Sequence, residues 1–126
     1  MFSSPRNNVV ESDEGFYVEI LGRTGIKYVE GSRAIFIDSE VLTGPHGMMI
    51  QKDSIRNWQV PLGGIDTSKK DKIIKDAHKV SLVEDSFLFE GFAIEETIDD
   101  NKKGEIIENV RRAFLFQGFE VEIVWG

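Results

Sequence analysis

The chain contains 126 residues, carries a formal net charge of −7 at pH 7 and has no cysteine. This length fits one domain whose core needs no disulfide, and the missing thiols exclude a disulfide framework and cysteine chemistry. An isoelectric point near 4.8 argues against binding to nucleic acid, and no apolar run approaches the roughly 20 residues that a membrane helix needs.

The N-terminal segment is polar and has no hydrophobic period, so residues 1–14 are predicted to form a flexible arm. The segment also lacks the basic start and the apolar stretch of a secretory signal. We expect residues 15–126 to fold as a single α+β domain in the bacterial cytoplasm, a reducing compartment that suits a chain without cysteine.

The first half of this domain is predicted to be an antiparallel β-meander. Apolar residues indicate four strands, over 16–21, 26–30, 33–41 and 48–50. Gly31-Ser32 is a two-residue hairpin signal between the second and third of them. Pro61 argues against a central strand position after it, because proline cannot donate to a ladder.

A helix is expected to follow, with Asp66, Thr67 or Ser68 as its N-cap. Apolar residues recur at helical spacing as far as Val80. Periodicity does not decide whether the helix then continues to about Glu90 or whether a strand begins at Val80.

An internal repeat favours the longer helix. The segment 87–95 (FLFEGFAIE) matches 114–122 (FLFQGFEVE) at six of nine positions. A glycine after the last turn commonly ends a helix, so each copy is interpreted as a helix end, a glycine stop and a strand. The predicted architecture is therefore a meander followed by two helix–Gly–strand units packed on its sheet.

The second helix is predicted to begin near Asp99–Lys103 and to end at Gly118, before a strand over 119–125. Its inward residues are spaced three or four apart. This expected buried stripe comprises Ile106, Ile107, Val110, Ala113, Phe114 and Gln117.

Catalytic and metal-binding chemistry is sparse in the sequence. His46 and His78 are the two histidines, and they are too far apart in a chain without cysteine to resemble a structural zinc site. Carboxylate pairs are abundant in any acidic protein and identify no acid–base site. We therefore expect no catalytic residue, no metal and no cofactor, and a small metal-dependent enzyme is the least favoured alternative.

An acidic stretch without Lys or Arg occupies residues 84–100. It is either a solvated face or a surface that meets a basic partner, for which complementary charge would speed encounter. The candidate partner-binding carboxylates are Glu84, Asp85, Glu90, Glu95, Glu96, Asp99 and Asp100.

Trp58 is the aromatic residue with two open interpretations. A ring of this size can seal the seam between the meander and the helices, because it buries a large area at once. Tryptophan is also enriched among the residues that dominate protein interfaces, so Trp58 is a candidate partner-facing anchor as well.

Five segments, in order, carry a resemblance to a known family: Ile26–Arg33 (IKYVEGSR), Ile37–Glu40 (IDSE), Ser54–Trp58 (SIRNW) with Pro61, Ile106–Val110 (IIENV) and Phe116–Val121 (FQGFEV). In this order they resemble the bacterial polymorphic-toxin immunity protein 74 family. The resemblance covers roughly residues 16–62 and 102–125.

The resemblance implies a small α+β inhibitor that binds the C-terminal toxin domain of an effector and protects the producing cell, as in contact-dependent growth inhibition. Its partner would be that cognate toxin domain, with no nucleic acid, membrane or small-molecule substrate. A nuclease toxin is expected, because its basic phosphate-binding cleft would complement an acidic inhibitor. The alternative is a binding or regulatory adaptor that pairs through an exposed strand edge.

Overall fold

The computed structural model describes residues 2–6, 8–22, 25–41, 47–62, 67–83, 86–118 and 120–124. The strands before the first α-helix are β1 (Phe2–Arg6), β2 (Val9–Ser12), β3 (Phe16–Leu21), β4 (Gly25–Glu30), β5 (Arg33–Val41), β6 (Gly47–Gln51) and β7 (Asn57–Pro61), with the 3-10 helix η1 (Lys52–Ser54) before β7. The remaining elements are α1 (Thr67–Asp76), β8 (Val80–Val83), β9 (Ser86–Phe89), β10 (Phe92–Thr97), α2 (Asp100–Phe116) and β11 (Glu120–Val124).

The predicted α+β class and the four-stranded meander are confirmed. Strands β3 to β6 pair antiparallel in chain order, and Glu30 lies opposite Arg33, so that Gly31-Ser32 is the hairpin loop as expected. Strands β1 and β2 extend this sheet beyond β3.

The sheet forks at β5, the longest strand. Its first half pairs with β7 through Ala34 and Gln59, whereas its second half pairs with β6. Strand β10 extends one branch by pairing antiparallel with β7, and β11 extends the other by pairing parallel with β6. Ser54 of η1 closes the fork, because its hydroxyl accepts from the Asp38 amide at 2.8 Å and donates to the Gln51 carbonyl at 2.6 Å.

One face of the sheet is covered by α2. Side chains alternate along a strand, and Ile26 and Tyr28 of β4 join the same buried cluster as Ile106 and Phe114 of α2. The predicted stripe of α2 is buried, except that Gln117 is half-buried. Asp99 caps the helix by accepting from the Lys102 amide at 2.7 Å, within the range predicted for its start.

The opposite face is covered by α1 and by the β8–β9 hairpin, which forms a separate two-stranded sheet. Ile74 of α1 and Phe89 of β9 pack there with Val29, Ala34 and Phe92 of the main sheet. The sheet is therefore the middle of three layers. Neither helix in the described ranges is long and apolar enough to cross a membrane.

The described part of residues 1–14, predicted to be a flexible arm, instead contains two paired strands. The segment forms most of a hairpin, β1–β2, and the side chains of Val9 and Val10 are buried. Two apolar residues in a polar segment give no measurable period, so their burial depends on β3 and α2, which lie elsewhere in the chain.

The prediction of a first helix–Gly–strand unit is also wrong. Helix α1 ends at Asp76, and Phe87–Phe89 belong to β9, whereas the matching Phe114–Phe116 form the last turn of α2. The two copies share the glycine that follows. Gly91 and Gly118 have φ of +82° and +89°, a conformation that other residues resist, and each is the second residue of a turn that precedes a strand.

Strand β7 was not predicted. Pro61 is its last residue, opposite Phe92, so the missing N–H falls at the strand end where a proline is tolerated. The cap candidate Asp66 lies outside the described residues.

Candidate partner-binding site

The acidic stretch is divided by the fold. Glu90 is exposed in the turn before β10, whereas Glu95 and Glu96 lie at the far end of that strand and Asp99 and Asp100 follow it. Because a strand advances about 3.3 Å per residue, Glu90 is separated from the others by the length of β10. Glu84 and Asp85 lie outside the described residues.

Glu95 and Glu96 are exposed, and both lie beside Arg33. The Arg33 guanidinium is 3.3 Å from the Glu96 carboxylate and 3.9 Å from that of Glu95. These contacts join β10 to the start of β5. The carboxylates at this end are therefore partly compensated within the chain, although they remain accessible to solvent.

Trp58 is an interior residue rather than an exposed anchor. Its side chain is 3% exposed and packs on Tyr28, with ring centroids 6.4 Å apart. The Arg33 guanidinium also lies over the Trp58 ring, 4.4 Å from its centroid. This placement matches the seam interpretation and corrects the anchor interpretation, because almost none of the ring is left for a partner.

The two aspartates after β10 have different roles. Asp99 is the N-cap of α2 and contributes its side chain to a backbone hydrogen bond. Asp100 is 96% exposed and lies 4.0 Å from Lys103, a distance at which a solvated pair contributes little stability. Among the carboxylates at this end, Asp100 therefore contributes least to the stability of the fold.

A groove of about 230 Å³ lies at the fork of the sheet. Phe36, Phe87 and Ile94 supply its apolar part, and the rings of Phe36 and Phe87 have centroids 4.8 Å apart. Asp38 and Asp53 are among the polar residues that line it. No local sequence pattern predicts this groove, because its residues come from β5, β6, η1, β7, β9 and β10.

The groove opens beside an exposed apolar surface. Leu82 lies opposite Phe87 in the β8–β9 ladder and is 64% exposed, and Ile94 of β10 is 53% exposed. A two-stranded hairpin is only marginally stable by itself in water. Large apolar side chains that remain exposed on it are unfavourable unless they contact a partner, so their exposure indicates a contact surface.

A buried ionic network lies under α1. Lys27 is 0% and Glu19 is 2% exposed, and the Lys27 ammonium is 3.1 Å from the Glu19 carboxylate. The same ammonium donates to the carbonyls of Ile74 at 2.8 Å and of Lys75 and Ala77 at 3.1 Å. Lys27 therefore satisfies carbonyls at the C-terminal end of α1, where a helix has no partners of its own.

The protonation of this network follows from its burial. Desolvation lowers the pKa of Lys27, and the neighbouring Glu19 carboxylate opposes that shift. The second oxygen of Glu19 lies 2.8 Å from Nε2 of His78, whose ring is half exposed. About half of the His78 ring is therefore open to solvent, while one of its nitrogens is held by a buried carboxylate.

The His78–Glu19 pair has the geometry of a base oriented by a carboxylate, but its surroundings offer little chemistry. The open depression beside His78 is lined by Asp76, Lys79 and Glu90, with no hydroxyl or thiol among its described lining residues. In the part of the chain that the structure describes, no group of three or more His, Asp or Glu side chains could hold a metal ion.

No sequence pattern predicts this network, because the residues around Glu19, Lys27 and His78 form no motif for a buried ion pair. The one available signal was the predicted β3–β4 hairpin, whose register places Glu19 opposite Lys27. Their burial comes from α1, more than 40 residues further along.

Comparisons of this chain with protein-family models, with curated proteins and with solved structures found no match.

Proposed function

We propose that this chain is an immunity protein, which neutralises a cognate toxin domain by stoichiometric binding in the cytoplasm of the producing cell. The toxin as partner is suggested by the ordered segments that resemble the immunity protein 74 family. A nuclease is the favoured toxin, because its phosphate-binding cleft is basic and this chain carries a net charge of −7.

The single observation that carries partner binding is the uncovered end of β10. Ile94, Glu95 and Glu96 are all exposed, and Ile94 lies opposite Gln59 whereas Glu96 lies opposite Trp58, the successive residues of β7 that point to opposite faces. Both faces of the strand are therefore open at this end. Apolar and acidic groups are presented together, as in an interface with an apolar centre and a charged rim.

The proposal is tested by co-expression with the C-terminal toxin domain encoded by the adjacent effector gene. Cells that make the toxin domain alone are expected to lose viability, and cells that also make this chain are expected to survive. The two chains should co-purify at a fixed stoichiometry. A toxin domain from an unrelated effector serves as the control and should remain toxic. Loss of viability despite normal levels of this chain would contradict the proposal.

Neutralising the acidic end of β10 is expected to slow association with the toxin domain several-fold and to flatten its salt dependence. The variant is Glu95→Gln/Glu96→Gln, which removes two charges without placing a lysine beside Arg33. Electrostatic steering acts on the association rate and falls as ionic strength rises. Rates should be measured by surface plasmon resonance at several salt concentrations.

The matched control is Glu105→Gln/Glu108→Gln on α2, which removes two exposed carboxylates that are likewise ion-paired within the chain. It gives the same net charge at a different place. If both variants change the association rate and its salt dependence equally, the net charge of the chain alone determines the association rate. The end of β10 is then only a solvated surface.

A second candidate function is that of an adaptor for a partner other than a toxin, bound along the edge of β10. Among the strands described, β10 forms its ladder with β7 alone, so one edge is available for an added strand. The ladder shifts register between Ile94 and Glu96, and such irregularities limit unspecific strand pairing. Rescue in the co-expression test favours the toxin partner over this adaptor.

A further inference from the structure

The groove at the fork of the sheet combines aromatic rings with carboxylates. Phe36, Phe87 and Ile94 supply its apolar lining, and Asp38 and Asp53 are the carboxylates among its polar lining residues. Arg56 also lines the groove, and its Nε donates to the backbone oxygen of Asp53 at 2.9 Å. The charged lining therefore holds two carboxylates against one guanidinium.

The side-chain carboxylates of Asp38 and Asp53 make no ion pair or hydrogen bond with the other described residues. Asp38 contributes only its backbone amide to Ser54. Both charges remain available to a ligand of opposite sign.

A guanidinium is the cation that fits this lining. Its flat face stacks on aromatic rings and its edge donates paired hydrogen bonds to carboxylates, whereas an ammonium is a compact and strongly hydrated charge. The chain already makes such an arrangement within itself, since Arg33 lies on the Trp58 ring and beside the Glu96 carboxylate. That pair occupies the opposite face of the same branch of the sheet.

We propose that the groove lined by Phe36, Phe87, Asp38 and Asp53 binds an arginine side chain of the partner protein. This inference names the contact that holds the proposed toxin partner, and so it rests on the proposed function. The exposed Ile94 lines the groove and the exposed Leu82 lies opposite Phe87 beside it, and both would cover the stem of that arginine and its neighbours.

The test uses N-acetyl-arginine methylamide as the probe and the full chain, followed by amide chemical shifts in ¹H–¹⁵N NMR spectra. Saturable shifts are expected at groove residues, with a dissociation constant on the order of 1–10 mM for one isolated side chain. The citrulline analogue has nearly the same shape without the charge, and it should bind at least about tenfold more weakly. Equal shifts with both probes, or no saturable shift with arginine, would overturn the inference.

Asp38→Asn/Asp53→Asn should weaken arginine binding by at least about tenfold, because charge-assisted hydrogen bonds become neutral ones. Glu40→Gln is the matched control, since it removes one exposed charge from the same strand without lining the groove. Asp53→Asn alone provides a second variant at an exposed site, in case the double variant unfolds. Binding by the double variant equal to that of the original chain would contradict the assignment.

The outcomes separate this inference from the proposed function. The probe titration needs no toxin, so failure there overturns the groove's role whatever the co-expression test shows. If arginine binds the groove but the toxin domain is not neutralised, arginine binding by the groove is supported and the toxin as partner is contradicted. In a purified toxin complex, Asp38→Asn/Asp53→Asn should weaken affinity by at least about tenfold.

Discussion

Replacing Lys27 with methionine is expected to lower the free energy of unfolding by about 3–5 kcal/mol, the usual cost of removing one partner of a buried ion pair. The substitution leaves the Glu19 carboxylate buried with only His78 as a partner. It also removes the donor to three carbonyls at the end of α1. Since small domains are stable by about 5–15 kcal/mol, this is a large part of the total.

Urea denaturation followed by circular dichroism measures this effect. Lys72→Met is the matched control, because Lys72 is exposed on α1 and should change stability by less than about 0.5 kcal/mol. Adding Glu19→Gln to Lys27→Met should recover part of the loss, because the uncompensated charge is removed. A loss below about 1 kcal/mol for Lys27→Met would mean that water reaches the network and solvates the Glu19 carboxylate, which contradicts its role as a buried ion pair.

The parts of the fold that were predictable are those encoded by neighbouring residues. The meander follows from alternation and from the Gly31-Ser32 loop, which together set the strand register. Helix α2 follows from its cap at Asp99 and from a stripe repeated over about three turns. In these segments local preference and tertiary burial agree, so pattern alone suffices.

The internal repeat shows that local sequence alone does not determine the secondary structure of every segment. Phe87-Leu88-Phe89 and Phe114-Leu115-Phe116 are identical in sequence, yet the first is a strand and the second is helical. Phe89 is placed by Gln59, whose side-chain oxygen accepts from the Phe89 amide at 2.8 Å and whose nitrogen donates to the Phe87 carbonyl. A contact across about 30 residues thus decides the state of a segment that is compatible with both.

The sequence predicts which charged residues belong to the candidate site, but it does not predict their contacts or their arrangement. The sequence placed Glu95 and Glu96 in an acidic stretch, but their contact with Arg33 spans more than 60 residues. The groove likewise needs the fork in β5, which depends on β7 and on the Ser54 hydrogen bonds that close it. Charge can be counted along the chain, whereas its pairing with aromatic rings and cavities depends on topology.

Above pH 10, the free energy of unfolding is expected to fall more steeply for the original chain than for Tyr28→Phe, by up to about 1.4 kcal/mol per pH unit. Tyr28 is 0% exposed, and its hydroxyl accepts from Asn109 at 2.9 Å. Burial raises the pKa of the Tyr28 phenol far above its ordinary value of 10.0, and the Asn109 hydrogen bond offsets this only in part. The unfolded chain therefore releases this proton first, and stability is lost from about pH 10 upward.

The slope rather than the absolute stability is the measurement, because Tyr28→Phe also leaves Asn109 unpaired at a cost of about 1–3 kcal/mol at every pH. Urea denaturation at intervals from pH 8 to pH 12 gives both curves. Lys27 acts in the opposite direction, since its lowered pKa makes stability rise with pH until the unfolded lysine titrates near 10.5. That contribution is common to both proteins and cancels in their difference. Parallel curves above pH 10 would show that the phenol ionises as readily in the folded chain as in the unfolded one, which contradicts its burial beneath α2.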